Sequence, residues 1–119
     1  MTAYKRGDIL LVKFPMPDIQ QYKPRPALVI QNNDNNQKLT HTIFLQITSN
    51  ISNKGLPSQY FIDLNTAEGK LSGLLTDSVV KAEVIFTLPR EFLYKKLGCL
   101  LPSGLEQIEK CIKYSLDLK

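Results

Sequence analysis

The sequence predicts a mostly β, α+β fold, in which a small antiparallel β-barrel carries two or three short helices on one side. Short apolar runs typical of strands recur roughly every ten to fifteen residues through the first two-thirds of the chain. Little helical periodicity separates them, and a clear amphipathic pattern appears only near the C-terminus. The chain has 119 residues, 43% of them hydrophobic and 22% charged, which predicts one folded domain over 1–119 and excludes a disordered chain.

The strands are predicted from runs of branched and aromatic apolar residues. The first run, residues 8–14, follows Gly7 and is ended by the proline at position 15. Residues 27–31 form a second short run. Further strands are predicted at 42–48, 60–64, 78–81 and 83–88. A polar loop with several prolines is expected at 16–25, and the Asn/Asp-rich segment 32–36 is expected to form turns.

Two helices are predicted late in the chain. The first covers 89–97, with a proline suited to a first turn and Gly98 to end it. The second begins with a capping box, in which Ser103 and Glu106 would satisfy each other's backbone N–H groups. It continues with apolar residues at helical spacing, namely Leu105, Ile108, Ile112 and Leu116.

The charge of the chain is concentrated in its first half. The net charge is +4. Residues 1–60 hold seven basic and three acidic side chains, whereas residues 61–119 hold eight of each. A one-sided basic distribution is what binding to a polyanion requires, because phosphate contacts come mainly from Lys and Arg. A charge that serves only solubility is the alternative.

Composition also limits the location and chemistry of the protein. No apolar run approaches the ~20 residues of a membrane span, and the N-terminus lacks the pattern of a signal peptide, so we expect a cytoplasmic protein. Cys99 and Cys111 are expected to be reduced and buried. With a single histidine, His41, and no Gly-rich phosphate loop, the sequence predicts neither a metal site nor a cofactor.

Three groups of residues could carry chemistry. Arg25 stands between two prolines at the mouth of a strand, where a guanidinium loses little backbone entropy on binding an anion. Hydroxyl and amide side chains crowd the end of another strand, where a rigid scaffold presents functional groups; they are Gln46, Thr48, Ser49 and Asn50. Lys81 and Glu83 share one face of a strand and could form an acid–base pair. The alternatives are a surface ion pair for Arg25, turn chemistry for Thr48 and Ser49, and a solvated ion pair for Lys81 and Glu83.

The order and spacing of several motifs resemble the PemK/MazF family over nearly the whole chain. The motifs are Gly-Asp-Ile at 7–9, Arg-Pro-Ala-Leu-Val-Ile at 25–30, Ile-Thr-Ser at 47–49 and Asp-Ser-Val-Val at 77–80. This resemblance implies an SH3-like β-barrel of the PemK/MazF/CcdB type that forms a homodimer. It also implies a growth-inhibiting toxin of a toxin–antitoxin pair, which cleaves single-stranded mRNA without metal and is blocked by a cognate antitoxin.

Carried over by position, the resemblance places the catalytic arginine at Arg25 and the catalytic threonine at Thr48. Ser49, Lys81 and Glu83 are possible supporting residues. Where some members carry an Arg-x-Asp pair this chain has Lys81-Ala82-Glu83, and where some carry a glutamate it has Gln20 and Gln21. The expected RNA-binding residues are Gln21, Tyr22, Lys23 and Lys54.

Cleavage by the substrate's 2′-hydroxyl needs a proton acceptor, donors to the phosphorane and a proton for the leaving oxygen. Arg25 and Thr48 are expected to be the donors, and Glu83 and His41 are the candidate bases. Base selectivity is expected from loops 15–25 and 50–58, with Tyr60 among the aromatic rings available to stack. The competing hypothesis is a non-catalytic module, such as a toxin like the gyrase poison CcdB, which grips its target through a Trp-bearing tail; this chain has no Trp.

Overall fold

One six-stranded antiparallel sheet dominates the fold, in a computed structural model that describes residues 3–16 and 21–119. Its strands are β1 (Asp8–Met16), β2 (Gln21–Val29), β3 (His41–Thr48), β4 (Gln59–Ile62), β5 (Ser78–Pro89) and β6 (Leu93–Cys99). They lie in the order β4-β5-β3-β2-β1-β6. The helices are α1 (Asn33–Lys38), α2 (Ala67–Ser72) and α3 (Pro102–Ser115), with a 3-10 turn at Arg90–Phe92.

The predicted fold class is confirmed, with a difference in how the sheet ends. The described residues form a mostly β, α+β structure with an amphipathic C-terminal helix, α3. The two edge strands are β4 and β6, and no hydrogen-bond ladder joins them within the described chain. The barrel is therefore not closed by backbone pairing.

The sheet buries a separate apolar cluster on each of its faces. On one face Ile9, Leu28 and Leu45 pack with Ile108 of α3. The other face carries the second cluster, which consists of Leu10, Val12, Ala27, Val29, Phe44, Leu88 and Leu93. Because successive side chains of a strand point to opposite faces, the near-continuous apolar runs of β1, β2 and β3 serve both clusters.

β5 is one strand rather than the two that the sequence predicts at 78–81 and 83–88. It pairs with β3 along its length, but the register changes between neighbouring residues of β3. Gln46 lies opposite Lys81, whereas Leu45 lies opposite Ile85. The extra residues of β5 form a bulge, which bends the sheet and explains why a break was expected there.

Two predicted segments are wrong. The loop expected at 16–25 belongs largely to the β1–β2 hairpin, whose register runs out to Met16 opposite Gln21. The helix expected at 89–97 is instead the 3-10 turn followed by β6, which pairs with β1 from Leu93 to Cys99. The ladder with β1 and the burial of Leu93 outweigh a weak local preference for helix.

Two short helices were not predicted. In place of the expected Asn-rich turn, Asn32 caps α1 by accepting a hydrogen bond from the backbone N–H of Asn35, at 2.8 Å. Thr66 caps α2 in the same way, with its Oγ1 accepting from the N–H of Gly69 at 3.0 Å. Gly73 ends α2 with a φ of 73°, a conformation that favours glycine.

The C-terminal helix is confirmed, but its predicted capping box is wrong. α3 begins at Pro102. Its N-cap residue is Leu101, whose apolar side chain cannot accept a hydrogen bond from the backbone of the first turn. A residue of α2 does so instead, since Oε2 of Glu68 accepts a hydrogen bond from the backbone N–H of Leu101 at 3.2 Å. Glu68 also accepts from the hydroxyl of Tyr60, and it lies where a Cβ on Gly104 would stand. No helix in the described part of the chain is long and apolar enough to cross a membrane.

Candidate functional site

A cavity of about 950 Å³ opens where β3 and its ladder with β2 end, and its volume suits a small-molecule or nucleotide-sized ligand. Its walls combine apolar side chains with a few polar groups. The apolar part includes Leu11, Phe14, Pro26, Ile47, Leu74, Leu75 and Leu97. The polar part includes Arg25, Gln46, Thr48, Ser49, Asn50, Thr76, Ser78 and Lys95. Five strands, the turn after β3 and the segment after α2 therefore contribute to it.

Arg25 and Thr48 stand at the same end of the β2–β3 ladder. The ladder ends with Ala27 opposite Gln46. Arg25 and Thr48 each lie two residues beyond that pair, and both line the cavity. The two residues predicted to act at the scissile phosphate thus share one site.

The prolines beside Arg25 stand where the sheet tolerates them. Pro24 and Pro26 pair with β1, opposite Lys13 and Leu11, but lie beyond the end of the β3 ladder. β2 has a single partner strand there, so a residue without an N–H group costs few hydrogen bonds. Arg25 is exposed and forms no ion pair with any described residue. Its five N–H donors can therefore meet an anion in the cavity.

Thr48 is fixed by the turn that follows it. Its Oγ1 accepts a hydrogen bond from the backbone N–H of Asn50 at 3.1 Å. Oδ1 of Asn50 accepts in turn from the backbone N–H of Ser52 at 3.2 Å. Because Thr48 accepts in this turn, its hydroxyl proton is still available to a ligand. Ser49 lies between them, exposed and lining the cavity.

Lys81 and Glu83 do not line the cavity. They flank the buried Ala82, within the part of β5 where the register with β3 changes. Oε2 of Glu83 accepts a hydrogen bond from Nε2 of Gln59 at 2.7 Å, so this carboxylate is held towards β4. The geometry gives no support to an acid–base pair at the cavity.

The expected RNA-binding residues are spread along the rim and beyond it. Lys23 and Tyr22 are exposed on β2, and Tyr22 packs edge-on against Phe92 with ring centroids 5.0 Å apart. Lys54 lies over the ring of Phe61, 4.6 Å from its centroid, and does not line the cavity. The side chain of Gln21 lies outside the described part of the structure.

Residue Gln20 and residues 17–19 also lie outside the described chain. They belong to the expected base-selecting loop at 15–25. From the other expected loop, at 50–58, Asn50 lines the cavity.

Neither candidate base is at the cavity. His41 begins β3 and Thr48 ends it, seven residues later, which separates them by about 23 Å at the rise of a strand. Glu83 is on β5, as described above. Among the described residues that line the cavity there is no His, Asp or Glu.

Tyr60 is half-buried and Cys111 is buried, and neither lines the cavity. Burial raises the pKa of Tyr60 well above its usual range, and the hydrogen bond to Glu68 raises it further. Burial also raises the pKa of Cys111, and the charge of Glu83 adds to this, while a backbone hydrogen bond opposes it. The hydroxyl of Tyr60 is engaged by Glu68, and Cys111 remains a protonated, buried thiol. Both Cys99 and Cys111 are free thiols.

Phe14 is the aromatic residue that the cavity does expose. It lines the wall and packs edge-on against Phe86, with ring centroids 5.0 Å apart. A supported ring at the wall of a polar-rimmed cavity can stack on a flat ligand without losing its own packing.

Gln46, which the sequence indicated together with Thr48, pairs with Ala27 at the end of the β2–β3 ladder and lines the cavity. Lys95 is the lining residue that the sequence analysis missed. Lys95 was placed in a helix, and only the pairing of β6 with β1 brings it to this wall.

Comparison with known proteins gives a family and a fold. Residues 5–116 match the family described as PemK-like, MazF-like toxin of type II toxin–antitoxin systems. Endoribonuclease EndoA of Bacillus subtilis (strain 168) is 31% identical over 115 residues, which cover 96% of this chain and 95% of the relative.

Solved structures share the whole fold. An endoribonuclease in complex with its cognate antitoxin, from mycobacterial species, superimposes with a TM-score of 0.78 at 21% identity, covering 98% of each chain. The Mycobacterium tuberculosis toxin MazF-mt6 gives 0.76 at 24% identity, covering 94% of this chain and 98% of that one.

Proposed function

Because the chain belongs to the PemK-like, MazF-like family of toxins of type II toxin–antitoxin systems, we propose that it is an endoribonuclease that cleaves single-stranded mRNA. The observation that carries the proposal is that Arg25 and Thr48 line one cavity, just beyond the end of the β2–β3 ladder. The endoribonuclease activity named for EndoA, its relative over 96% of the chain, supports the reaction type.

The site supplies hydrogen-bond donors for a phosphoryl group. In the proposed reaction the 2′-hydroxyl of the RNA gives its proton to a water molecule and attacks the adjacent phosphorus, and the 5′-oxygen of the next nucleotide leaves and takes up a proton from water. Arg25 donates to the two oxygens whose negative charge increases in the phosphorane, and the Thr48 hydroxyl donates to one of them. The 2′-oxygen is the nucleophile, so the products carry a 2′,3′-cyclic phosphate and a free 5′-hydroxyl, and the step uses no metal ion.

The rest of the cavity suits a nucleobase. Phe14 offers a ring face or edge, while Gln46 and Asn50 offer amide groups that can pair with base edges. Lys23 and Tyr22, on the exposed part of β2, extend the same rim for the RNA strand. Sequence selectivity follows from these groups because phosphate contacts alone carry no sequence information.

A cytoplasmic homodimer and a cognate antitoxin complete the proposal. Leu75 is 93% exposed beside the cavity and Leu71 is 43% exposed on α2, which gives a partner an apolar contact next to a basic site. An antitoxin segment that carries both acidic and apolar side chains fits a basic site beside exposed leucines. Sedimentation analysis of the purified protein is expected to give twice the 13.5 kDa of one chain.

The test is to incubate the purified protein with a long transcript in the presence of EDTA, and to map the ends by sequencing. We expect cuts at a few short sequences, each leaving a 2′,3′-cyclic phosphate. Intact RNA across transcripts of varied sequence would contradict the nuclease and favour a non-catalytic toxin or binding module.

A further inference from the structure

Lys95 adds a second positive charge to the cavity that contains Arg25 and Thr48. It lies on the edge strand β6, is exposed, and lines the same wall as Leu97. We infer that Lys95 binds the RNA backbone phosphate next to the scissile one. This inference rests on the proposed function and adds to it a residue that sets the path of the strand.

The sheet register places Lys95 in one row with Pro26, the residue after Arg25. Lys95 lies opposite Leu11 on β1, and Leu11 lies opposite Pro26 on β2. Cross-strand neighbours share a face, and all three residues line the cavity. Arg25 pairs with Val12, so its side chain starts from the other face of β2, and it lines the same cavity. β6 and β2 are two strand spacings apart, about 10 Å. Because that span exceeds the size of one phosphate group, Arg25 and Lys95 fit successive phosphates of a strand rather than the same one.

The neighbouring lysines are engaged elsewhere, and Lys95 is not. Nζ of Lys96 lies 3.2 Å from Oδ1 of the buried Asp8, and Nζ of Lys13 lies over the ring of Tyr94. Lys95 forms no ion pair with any described residue.

Among the described residues that line the cavity, Arg25 and Lys95 are the charged ones, and both are positive. The guanidinium of Arg25 is a planar fork suited to the reacting phosphate, where orientation matters. The ammonium of Lys95 is a point charge on a flexible stem, which suits a phosphate that only needs to be held.

The first experiment measures binding apart from cleavage. The probe is a fluorescein-labelled, single-stranded 2′-O-methyl RNA of mixed sequence, titrated at several salt concentrations. Lys95→Gln is expected to weaken binding about five- to tenfold and to reduce the slope of log K against log salt by about 0.7, the value of one phosphate contact on a single strand.

Lys110→Gln is the matched control, since it removes the same charge from an exposed position of α3 away from the cavity. It is expected to leave both the affinity and the slope unchanged. Equal behaviour of the two variants would overturn the inference, because the effect would then be one of net charge.

The second experiment locates the phosphate. An oligoribonucleotide with one mapped cut site carries a single neutral methylphosphonate, moved one position at a time along the strand. For the wild type we expect kcat/KM to fall about five- to tenfold when the phosphate next to the scissile one is neutral. For Lys95→Gln, a neutral group at that one position is expected to leave kcat/KM unchanged, because the variant already lacks the contact between Lys95 and this phosphate. For Lys95→Arg, which keeps the positive charge, kcat/KM is expected to fall as in the wild type.

Independent, additive losses at every position would overturn the assignment. The outcomes also separate the two proposals. If the wild type cleaves RNA and Lys95→Gln behaves like Lys110→Gln, the proposed nuclease activity stands and the proposed role of Lys95 is overturned. A wild type that binds the probe but cleaves nothing contradicts the nuclease, and the salt slope then decides on Lys95 as a phosphate-binding residue. A wild type that neither binds nor cleaves overturns both.

Discussion

Arg25 lies where backbone restriction and electrostatics act on the same side chain. The prolines on either side restrict φ and hold Arg25 itself in the extended region, so little backbone freedom is lost when its guanidinium binds an anion. No carboxylate among the described residues competes for it. At the same cavity, Thr48 is oriented by the Asn50 turn. The pair is thus arranged before substrate arrives, which is the condition for donors to lower a barrier.

Replacing Arg25 by Ala is expected to lower kcat at least a hundredfold, the scale of losing one donor to a developing oxyanion. Arg25→Lys is expected to recover only part of this, because an ammonium cannot form two parallel hydrogen bonds. The measurement is single-turnover cleavage of a mapped RNA, with thermal unfolding to show that the fold is intact.

Lys23→Ala is the control, since it removes a nearby charge from the same strand. We expect it to weaken binding of RNA and to leave single-turnover cleavage at saturation unchanged. A variant at Arg25 that cleaves at nearly the wild-type rate would contradict the mechanism.

The sequence shows the Arg25–Thr48 pair but not the whole cavity, for a physical reason. Arg25 and Thr48 stand in local motifs that can be read without knowing the register. Lys95 acquires its position only from pairing between distant strands. His41 looked equivalent to other polar residues at a strand end, and only the direction of β3 shows that it lies at the opposite end from Thr48.

Among the elements, those with strong apolar runs were predicted well and those with mixed patterns were not. β1 and β3 are buried on both faces, so their near-continuous apolar sequences identify them without tertiary information. β6 has only Leu93 and Leu97 as large apolar residues among exposed ones, a spacing that a helix also shows. Its partner β1 lies more than eighty residues earlier in the chain, and local reasoning cannot include that ladder.

The N-terminus of α3 gives a prediction about elements that contact one another. Glycine within a helix is usually less stable than alanine by about 1 kcal/mol. At Gly104, however, a Cβ would overlap the Glu68 carboxylate, which is held by Tyr60 and by the backbone of Leu101. Gly104→Ala is therefore expected to destabilise the wild type, and to stabilise the Glu68→Ala variant.

Urea unfolding of the two single variants and the double variant measures this coupling. We expect Glu68→Ala alone to cost about 2 kcal/mol, the range for hydrogen bonds to a charged group. If Gly104→Ala had the same sign in both backgrounds, α3 would not depend on Glu68 for its cap.

The raised pKa of Tyr60 predicts how stability changes in alkali. Tyrosine in the unfolded chain ionises near pH 10, whereas the half-buried, hydrogen-bonded Tyr60 stays protonated above it. Above pH 10 the folded state therefore holds more protons than the unfolded state, and stability falls as pH rises. Tyr60→Phe is expected to be less stable at pH 8, by about 1–2 kcal/mol, and to lose less stability between pH 10 and 11.

Thermal unfolding from pH 8 to 11 measures both effects. Tyr114→Phe is the control because that ring is 63% exposed, and it is expected to follow the wild type. Parallel curves for the wild type and Tyr60→Phe would show that ionisation of Tyr60 contributes nothing to the alkaline loss.

At the scale of the molecule, the two apolar clusters are joined by the strands that they share. Phe44 and Leu45 are neighbours on β3, both fully buried, and each packs into a different cluster. Neither face can lose its packing without disturbing the backbone of the other. The clusters should consequently unfold as one cooperative unit, in keeping with the prediction of one domain.

Phe44→Ala and Leu45→Ala test this, with an expected cost of about 3–5 and 2–5 kcal/mol respectively. Each is expected to shift the whole transition, with far-UV circular dichroism and tyrosine fluorescence giving the same midpoint. Two separated midpoints in either variant would show that the faces unfold independently.

The position of β6 also determines when the cavity can exist during synthesis. β1 lies between β2 and β6, and the wall that carries Lys95 and Leu97 comes from near the end of the chain. A nascent chain that has completed Thr48 already contains Arg25 and its partner, but it has no third strand on that side to complete the site. Since residues are added at about 5–20 per second, the growing chain spends seconds in this incomplete form. The protein thus gains its binding site only as its last strand leaves the ribosome.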